Sequence, residues 1–446
     1  MSKKKNKKKN AGPPRPLVRL SQCMIVKDEE KNIERALSWA KGVAFEQIVV
    51  DTGSTDRTVE LAKKMGANVY HFKWIDDFSA AKNFAMDQAK GNWIAILDAD
   101  EYMPSEDVKE LIALLRKIQN SPEMLKEYDS INCSWLQLDD QDKVYAVLNQ
   151  QRIFRNHPEL RYKGKIHEAV TLRNKYVNAG NLRIMHTGYA LTAYNEADKM
   201  ERNIRMLRSE LERDPTDPHI MLYLADSIKA AGTEEAREEA EQLYLKALES
   251  KKPAEAAIKR LAYDFLIPRF SGIEEKKTEA MRLCGEAIAE LPNHIDYYYY
   301  RAVLLNQDGK YKEALDDLRV CESAFDAGSG TPETRVLVPS PVLLFHQMTV
   351  AAQGMGSTED EKKYSAIIKE LLSNGKTQSA ILGPYMLALF RSGLSEDKVL
   401  EELSPVYDIT QPQDLLVIAR IAKDFGILRF ARMIMDIAAE VMADGS

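Results

Sequence analysis

The sequence predicts two folded parts, an α/β domain followed by an all-α domain of paired helices. Short apolar segments alternate with helical segments over the first hundred residues, the order of a mainly parallel sheet. Strand-like segments then follow one another, and from about residue 194 the sequence is almost wholly helical. We therefore expect a disordered Lys-rich tail at residues 1–19, the α/β domain at 20–190 and the helical domain at 191–446.

The composition is that of a globular protein. Of 446 residues, 45% are hydrophobic and 29% charged, with only 21 Gly and 17 Pro, which excludes collagen-like and low-complexity chains. No run of about 18 apolar residues occurs, so no membrane span is expected. Because the four cysteines are scattered without a CxxC pair, we expect structural thiols and a cytoplasmic location.

The net charge of -6 is unevenly distributed along the chain. Residues 1–20 carry eight basic and no acidic residues, residues 21–190 carry 23 basic and 25 acidic, and residues 191–446 carry 31 basic and 43 acidic. The tail either solubilises the chain or contacts an anionic membrane or nucleic acid. Since the body is acidic and has no interleaved basic and aromatic residues, nucleic-acid binding is unlikely.

Three strand-then-helix units are predicted first. The strands are LSQCMIV, IVV, NVYHF and WIAIL, and the helices after the first three contain ERALSWA, TVELAKKM and FSAAKNFAM. The segments SINCSWLQL and KVYAVLNQQRIFR then flank the polar DDQD, which predicts an antiparallel hairpin, and NLRIMHTGY reads as a further strand. Ligands are expected at the carboxyl ends of the parallel strands.

The helical region contains two helix pairs, at 214–250 and 294–323, that can be superposed. Small residues lie where the paired helices cross, and large residues fill the spaces between them. This pattern resembles degenerate tetratricopeptide repeats, which present extended surfaces to peptides or proteins. An unrelated helical bundle is the alternative. Residues 328–341 read as a loop, and LLVIARIAKDFGILRFARMIMDIAAEVM as a closing helix pair.

The most specific short motif is Asp98-Ala99-Asp100-Glu101, directly after the strand WIAIL. Two carboxylates at a strand end can bind one divalent cation through oxygen. A DxD motif by itself is more often a solvated turn, but two earlier strand ends, CMIVKDEE and VVDTGSTDRT, favour a site. There Asp51 is a candidate acceptor for a base or ribose, and Gly53 permits close backbone approach. Asp56 serves either the ligand or a helix N-cap.

Together with DADE, these segments resemble, in order and spacing, the family 2 glycosyltransferases of GT-A fold over about residues 20–190. The resemblance implies a Rossmann-like nucleotide-diphospho-sugar transferase domain, a UDP-sugar donor, Mn²⁺ or Mg²⁺, and inversion by direct displacement. Asp28 stands where such sequences more usually have Asn, which leaves its nucleotide contact open. The expected nucleotide-sugar residues are Val26, Asp28, Glu29, Asp51, Gly53, Asp56, Asp98, Ala99 and Arg152.

A local excess of positive charge follows, with eight basic and two acidic residues between 151 and 190. A diphosphate is the natural ligand for this excess. Arg152 and Arg155, which flank Phe154, are expected to share one face of an extended segment. Arg152 is the first choice for a phosphate contact, with a surface ion pair as the alternative.

The resemblance is strongest to members in which a transferase domain ending in RxFR, GxxHE and HxGY is fused to tetratricopeptide repeats, such as bacteriocin S-glycosyltransferases and flagellin glycosyltransferases. It implies that His186 completes a metal site with Asp98 and Asp100, and that His167 and Glu168 lie beside the acceptor. Lone histidines are often structural instead. We expect Glu168 to be the catalytic base. Its rivals are Glu101 and the pair Asp139 and Asp140, although LDDQDK reads better as a hairpin turn.

The sequence thus favours a metal-dependent glycosyltransferase that modifies a protein or peptide recruited by the repeats, with homo-oligomerisation left open. One alternative acceptor is a cell-surface glycan or a lipid-linked saccharide. A non-catalytic repeat scaffold is the other alternative, and it is less favoured because both DxD carboxylates, Gly53 and the His-Glu pair are present.

Overall fold

The computed structural model describes residues 17–139, 141–187, 193–326 and 336–444. Most of the Lys-rich tail therefore lies outside the described residues. The chain forms two compact units, Met1–Pro215 and Thr216–Ser446. This division falls 25 residues after the predicted boundary at 190. The helix spanning 193–213 groups with the first unit, where Lys165 contacts Glu210 at 3.0 Å and Asp76 contacts Arg205 at 3.4 Å.

The first unit is built on an eight-stranded sheet in the order β3-β2-β1-β4-β7-β6-β10-β5. Its strands are β1 Leu20–Val26, β2 Glu46–Asp51, β3 Asn68–His71, β4 Trp93–Ile96, β5 Glu101–Tyr102, β6 Tyr128–Leu138, β7 Val144–Arg155 and β10 Lys175–His186, and a separate two-stranded hairpin is formed by β8 Tyr162–Lys163 and β9 Ala169–Val170. The predicted order of strands and helices is confirmed. Strands β1 to β4 pair in parallel, so their carboxyl ends lie along one edge.

The predicted hairpin is confirmed as β6 and β7, which pair antiparallel. β7 also pairs antiparallel with β4, over residues 153–155 only. The third predicted strand, β10, pairs parallel with β6 and antiparallel with β5. The second half of the sheet therefore mixes both directions, as expected.

Six helices complete this unit, namely α1 Ile33–Ser38, α2 Thr58–Lys64, α3 Phe78–Asp87, α4 Ser105–Gln119, α5 Pro122–Glu127 and α6 Ala193–Arg213. Asp77 is the N-cap of α3, and its carboxylate accepts the Ala80 N–H at 2.8 Å. The buried face of α3, which includes Ala81, Ala85 and Met86, packs on the sheet. α4 likewise buries Val108, Leu111, Leu115 and Ile118 at helical spacing, and it contacts β10.

The second unit is helical throughout its described residues. Its helices are α7 Pro218–Lys229, α8 Glu234–Leu248, α9 Ala256–Ser271, α10 Lys277–Glu290, α11 Ile295–Gln307, α12 Tyr311–Asp326, α13 Val342–Gly354, α14 Thr358–Asn374, α15 Ser379–Arg391, α16 Glu396–Leu403, α17 Pro412–Asp424 and α18 Leu428–Asp444, with a short 3-10 helix at 274–276. The three predicted pairs are confirmed as α7/α8, α11/α12 and α17/α18. The remaining helices extend the same arrangement through segments that the sequence left unassigned. Of the predicted loop at 328–341, residues 328–335 lie outside the described part.

Glycine allows close packing between helices of this unit. Gly383, in the middle of α15, is buried, and a Cβ there would overlap the ring of Phe425 at the end of α17. Only a residue without a side chain fits this contact. By contrast, a Cβ at Gly285 in α10 would meet nothing within 4 Å.

All four cysteines are buried and none forms a disulfide, in agreement with the expected structural thiols. Burial raises the pKa of the Cys133 thiol to about 12. Among the helices in the described ranges, none is both long and apolar enough to cross a membrane.

Candidate active site

The loop after β1 is held by the loop after β2. Asp28 has a φ of 54°, in the left-handed region that Asn and Asp tolerate better than most residues. Its carboxylate accepts the Thr55 N–H at 2.7 Å, and its own N–H donates to the Ser54 hydroxyl at 3.0 Å. The acidic side chain at this position therefore ties two strand-end loops together.

Two predicted nucleotide residues follow β2. The buried carboxylate of Asp51 accepts the Ser54 N–H at 2.9 Å and lies 3.2 Å from His71 Nδ1. Burial by itself would raise the pKa of Asp51, but hydrogen bonds from Ser54 and His71 hold it below its usual value. Gly53 has a φ of 115°, and a Cβ there would meet nothing within 4 Å. The backbone at Gly53 is thus open to a ligand on that side.

Asp56 lies one residue before Arg57, which occupies the N-cap position of α2. Its carboxylate accepts the Thr58 N–H at 2.9 Å, at the start of α2, and the Glu30 N–H at 3.0 Å. The Glu29 N–H donates to the Thr58 hydroxyl at 2.7 Å. At the end of β1, the Val26 carbonyl accepts the Thr52 N–H at 2.9 Å. These bonds fix the floor formed by the first two strand ends.

Five charged side chains form a continuous row, which we call the charge line. Its members are Glu168, Lys82, Asp98, Arg152 and Glu101 in that order, with successive atoms 2.7, 3.1, 3.0 and 2.7 Å apart. The Asp98 N–H also donates to Glu101 at 2.9 Å. The first carboxylate of the DxD motif is therefore bound by two cations.

The protonation of the charge line follows from these contacts. Burial would lower the pKa of Lys82, but the Asp98 and Glu168 carboxylates raise it above the usual value. Burial would raise the pKa of Asp98, but Lys82 and Arg152 lower it. Both ions are therefore charged at neutral pH. At the other end of the charge line, burial raises the pKa of Glu101. Arg152 opposes this shift, and the negative charges of Asp98 and Asp100 add to it.

Lys82 was not among the residues predicted from the sequence. It lies on α3, is only 3% exposed, and its ammonium group lies 5.5 Å from the ring centre of Tyr162. The sequence contains a signal for it, because Lys82 shares the buried helical face with Ala85 and Met86. A lysine on such a face requires buried carboxylate partners.

Arg152, the expected phosphate residue, binds two carboxylates of the charge line. It is 7% exposed and points to Asp98 and Glu101 rather than to an open surface. The pairing of β6 and β7 skips Arg152, since Ile131 pairs with Ile153 and Asn132 with Gln151. Such a bulge redirects a side chain. The expectation that Arg155 shares its face was wrong, because strand side chains alternate and Arg155 binds the Leu125 carbonyl.

The β8–β9 hairpin carries Glu168 to Lys82. The hairpin pairs Tyr162 with Val170 and Lys163 with Ala169, so residues 164–168 form its turn. The Glu168 side chain is 13% exposed. His167 is exposed and has a φ of 52°. The left-handed backbone at His167 helps to set the direction of the neighbouring carboxylate.

The second DxD carboxylate faces the predicted histidine. Asp100 Oδ2 lies 3.4 Å from His186 Nε2, and His186 Nδ1 lies 2.7 Å from Gln137 Oε1. If Nδ1 carries the proton and donates to Gln137, the Nε2 lone pair faces Asp100. An imidazole nitrogen beside a carboxylate oxygen is a donor set that suits Mn²⁺. Asp100 and His186 thus fit a divalent cation.

Asp98 was expected to bind the cation together with Asp100 and His186, but its carboxylate has other partners. Both of its oxygens face cations, Oδ1 toward Lys82 and Oδ2 toward Arg152. Within the described ranges, no group of three or more His, Cys, Asp or Glu side chains has the arrangement of a metal site. Ala99, between the two carboxylates, is buried.

The described rival candidates for the base, Glu101 and Asp139, accept hydrogen bonds from neighbouring groups. Glu101 is buried and accepts from both Arg152 and the Asp98 N–H. Asp139 accepts the Gln141 and Lys143 N–H groups at 2.8 and 2.9 Å in the β6–β7 turn. Asp140 lies outside the described residues. Glu168 is the partly exposed carboxylate of the charge line that contacts a single cation of that line.

Comparison with known proteins agrees with this architecture. Residues 21–159 match the model of the family "Glycosyl transferase family 2". A TPR repeat-containing protein of Synechococcus elongatus is 33% identical over 258 residues, 55% of this chain and 60% of that protein. The SPbeta prophage-derived glycosyltransferase SunS of Bacillus subtilis is 28% identical over 205 residues, 45% of this chain and 47% of SunS.

The chain thus spans about half to three fifths of these curated relatives. Among solved structures, a fragment of S. aureus TarS aligns with 70% of this chain and 92% of its own length, at 15% identity and a TM-score of 0.31. The GT-A fold class predicted for the first part is confirmed by the family match and the sheet order. The chain therefore carries a glycosyltransferase family 2 domain, followed by a helical repeat unit.

Proposed function

We propose that this protein transfers a sugar from a nucleotide-diphosphate sugar, with UDP as the nucleotide, to a hydroxyl or thiol of a polypeptide. The observation that carries the proposal is the charge line, which places Glu168 and the DxD motif in one connected site at the carboxyl end of β4. A site of this kind combines a candidate base with fixed charges beside the donor.

The donor would lie over the two strand-end loops. Gly53 allows the ligand to approach its backbone, and Asp51 is already ionised and oriented. Asp28 and Asp56 support this surface through the loop contacts described above. Arg152 acts as a positioning residue that holds Asp98 from the buried side.

In the proposed reaction, Glu168 accepts the proton of the acceptor hydroxyl or thiol. The freed oxygen or sulfur forms a bond to the anomeric carbon, the bond from that carbon to the phosphate oxygen breaks, and the nucleoside diphosphate leaves. The configuration inverts because a single displacement occurs. Lys82 holds Glu168 in place and keeps positive charge beside Asp98.

A divalent cation, Mn²⁺ or Mg²⁺, would be held by Asp100 and His186, with Asp98 beside them. When bound, it would stabilise the negative charge of the departing diphosphate. Gln137 would keep the His186 imidazole in the orientation that such binding requires.

The helical unit offers an acidic surface for a polypeptide. A groove of about 500 Å³ is lined by Glu235, Glu238, Glu239, Glu241, Gln242, Arg269 and Lys276. Negative potential of this kind favours a neutral or basic acceptor segment, with binding that weakens as salt increases. We place the reaction in the cytoplasm because the buried cysteines are unpaired.

The proposal is tested by incubating the purified chain with UDP-sugars, Mn²⁺ and candidate polypeptides. We expect sugar-dependent UDP release, and mass spectrometry should detect an added hexose or N-acetylhexosamine on the acceptor. Asp100→Ala should abolish UDP release, whereas Asp424→Ala, at an exposed aspartate of α17, should leave it unchanged. If the protein neither binds nor turns over any nucleotide sugar, the repeat-scaffold alternative is supported. If sugar is transferred only to a saccharide, the acceptor is a glycan.

A further inference from the structure

One edge of the sheet beside the candidate site has no partner strand in the described part of the chain. β7 runs from Val144 to Arg155, but β4 pairs with it only at residues 153–155. On its other side β7 pairs with β6 along nearly its whole length. Residues 146–151 pair with β6 in regular register, between two pairing irregularities at Tyr145 and Arg152.

The side chains on this stretch are unusually apolar for an edge strand. Val144, Val147 and Leu148 are 46%, 55% and 51% exposed, and they project from both faces because strand side chains alternate. Residues 144–151 include no charged residue and no proline. Edge strands are normally protected by such residues. An exposed apolar strand without them is a surface for pairing with another chain.

The direction of this edge relates it to the reaction. β4 ends at Ile96, and Leu97 and Asp98 follow it directly. β4 covers residues 153–155 of β7 and then ends. A strand added beside residues 146–151 would therefore continue along β7 from the end of β4. One end of the added strand would therefore reach the DxD motif. Its length would be about 20 Å for six residues.

The charges at the two ends define the occupant. The DxD carboxylates lie at one end, and at the other the β6–β7 turn carries Asp139 and Asp142 against Lys143. Between these acidic ends the strand is uncharged. The complementary segment is therefore uncharged and rich in β-branched or aromatic residues, with a basic residue at the turn end.

We infer that residues 146–151 of β7 bind the acceptor polypeptide as an added β-strand and direct its modified residue to the DxD motif. This inference rests on the proposal that the acceptor is a polypeptide. Main-chain hydrogen bonds to β7 supply the binding, and the alternating side chains supply the selectivity. The helical unit then recruits the acceptor, and the edge of the sheet positions it.

The test uses the full chain without donor and a fluorescein-labelled pool of synthetic peptides. Each peptide has one Lys followed or preceded by six positions drawn from Val, Thr and Tyr. We expect saturable fluorescence anisotropy, and slower amide hydrogen exchange in residues 144–151 by mass spectrometry. Val147→Lys should weaken binding at least tenfold, whereas Val43→Lys, at a 41% exposed valine elsewhere, should not.

A second pool, N-methylated at alternate residues so that strand pairing is blocked, should bind at least tenfold more weakly. Equal binding of both pools, or no effect of Val147→Lys, would overturn the inference. So would a homodimer in sedimentation that Val147→Lys dissociates, because the edge would then join two copies. UDP binding, measured separately, should be the same in Val147→Lys and wild type. If the wild-type protein does not bind UDP, that result would count against the proposed function. It would not count against peptide binding by residues 146–151.

Discussion

Lys82 Nζ lies 2.7 Å from Glu168 Oε1 and so joins helix α3 to the β8–β9 hairpin. The same ammonium group lies 3.1 Å from Asp98. One buried lysine thus connects the candidate base to the first DxD carboxylate. This contact fixes the Glu168 side chain itself, while Ser79 and Phe78 hold the backbone of the hairpin turn by donating to the Gly164 and Lys165 carbonyls.

Replacing Lys82 should therefore impair both stability and activity. Lys82→Met leaves the Asp98 and Glu168 carboxylates in a buried site with less compensating charge, which should destabilise the first unit by about 3–5 kcal/mol. UDP release should fall at least hundredfold, about 2.7 kcal/mol in the barrier. All four tryptophans lie in this unit, at positions 39, 74, 93 and 135, so their fluorescence during urea unfolding reports on it. Lys63→Met, at an exposed lysine of α2, is the control. Unchanged unfolding would show that Lys82 is not an essential partner.

Gly53→Ala should weaken nucleotide binding more than it destabilises the fold. At a φ of 115° an alanine is strained, at a cost of about 1 kcal/mol or more, although its Cβ has no neighbour within 4 Å. A ligand at this backbone would meet the added methyl group. Calorimetry with UDP should show at least tenfold weaker binding. Gly42→Ala, also at positive φ with open space around it, controls for strain alone. Equal UDP affinity in both variants would contradict a ligand at Gly53.

Gln137→Leu should weaken Mn²⁺ binding without removing a predicted ligand. The substitution deletes the acceptor for His186 Nδ1, which helps to orient the imidazole. Loss of such a partner costs about tenfold to hundredfold in metal affinity. Titration calorimetry with Mn²⁺ in the presence of UDP measures it, with Gln88→Leu on α3 as the control. If Gln137→Leu binds Mn²⁺ like the wild type, His186 is not oriented through Gln137.

Asp129 should make the first unit sensitive to acid. Burial would raise the pKa of this fully buried carboxyl, but hydrogen bonds from Arg173 and Asn174 lower it. A lowered folded-state pKa contributes stability above the unfolded value of about 3.9, and this contribution is lost as the pH falls through the folded pKa. The urea midpoint of Asp129→Asn should therefore lie well below that of the wild type at pH 7, and the gap should narrow below about pH 4.

The exposed Asp424→Asn, in the second unit, is the control for that measurement. It should leave the tryptophan-detected midpoint unchanged at each pH. A gap between wild type and Asp129→Asn that stays constant from pH 7 to pH 3 would refute the assignment.

Two glycines in the middle of helices should respond oppositely to alanine. Gly285→Ala meets no neighbour within 4 Å and should stabilise the second unit by about 0.5–1 kcal/mol through helix propensity. Gly383→Ala overlaps the Phe425 ring and should destabilise it by about 1–3 kcal/mol. Thermal unfolding followed by far-ultraviolet circular dichroism compares them. If both substitutions changed the stability in the same direction, the contact with Phe425 would not be what excludes a side chain at position 383.

Local patterns predicted the fold well because each strand and its helix are encoded by short-range periodicity. The segment from Leu20 to Val26, the Asp51 strand end and the β6–β7 hairpin lie where apolar spacing and turn residues place them. The chain divides after Pro215 rather than near residue 190, and nothing local in α6 shows that Glu210 pairs with Lys165. Helices α9 and α10 were not identified as a pair, although α10 buries the small residues Ala280, Cys284 and Ala287.

The site was predicted less completely because its contacts are between distant residues. Asp100 and His186 were paired in advance only through a family pattern, and they do lie 3.4 Å apart. Arg152 was assigned by charge to a phosphate, yet the bulge at its position turns it to Asp98. No single segment shows a bulge, because the bulge is a property of pairing with β6. Predicting the role of Lys82 would have required recognising that it lies on the buried face of α3.

The charge line also constrains how the donor can enter. Its three carboxylates and two cations leave a formal excess of one negative charge in a largely buried row. A diphosphate brings more negative charge to the same place, and a low-dielectric site does not tolerate such an imbalance. Electroneutrality then requires that donor binding be accompanied by uptake of positive charge, as a cation or as protons. By thermodynamic linkage, the apparent donor affinity should follow the concentration of whichever species is taken up.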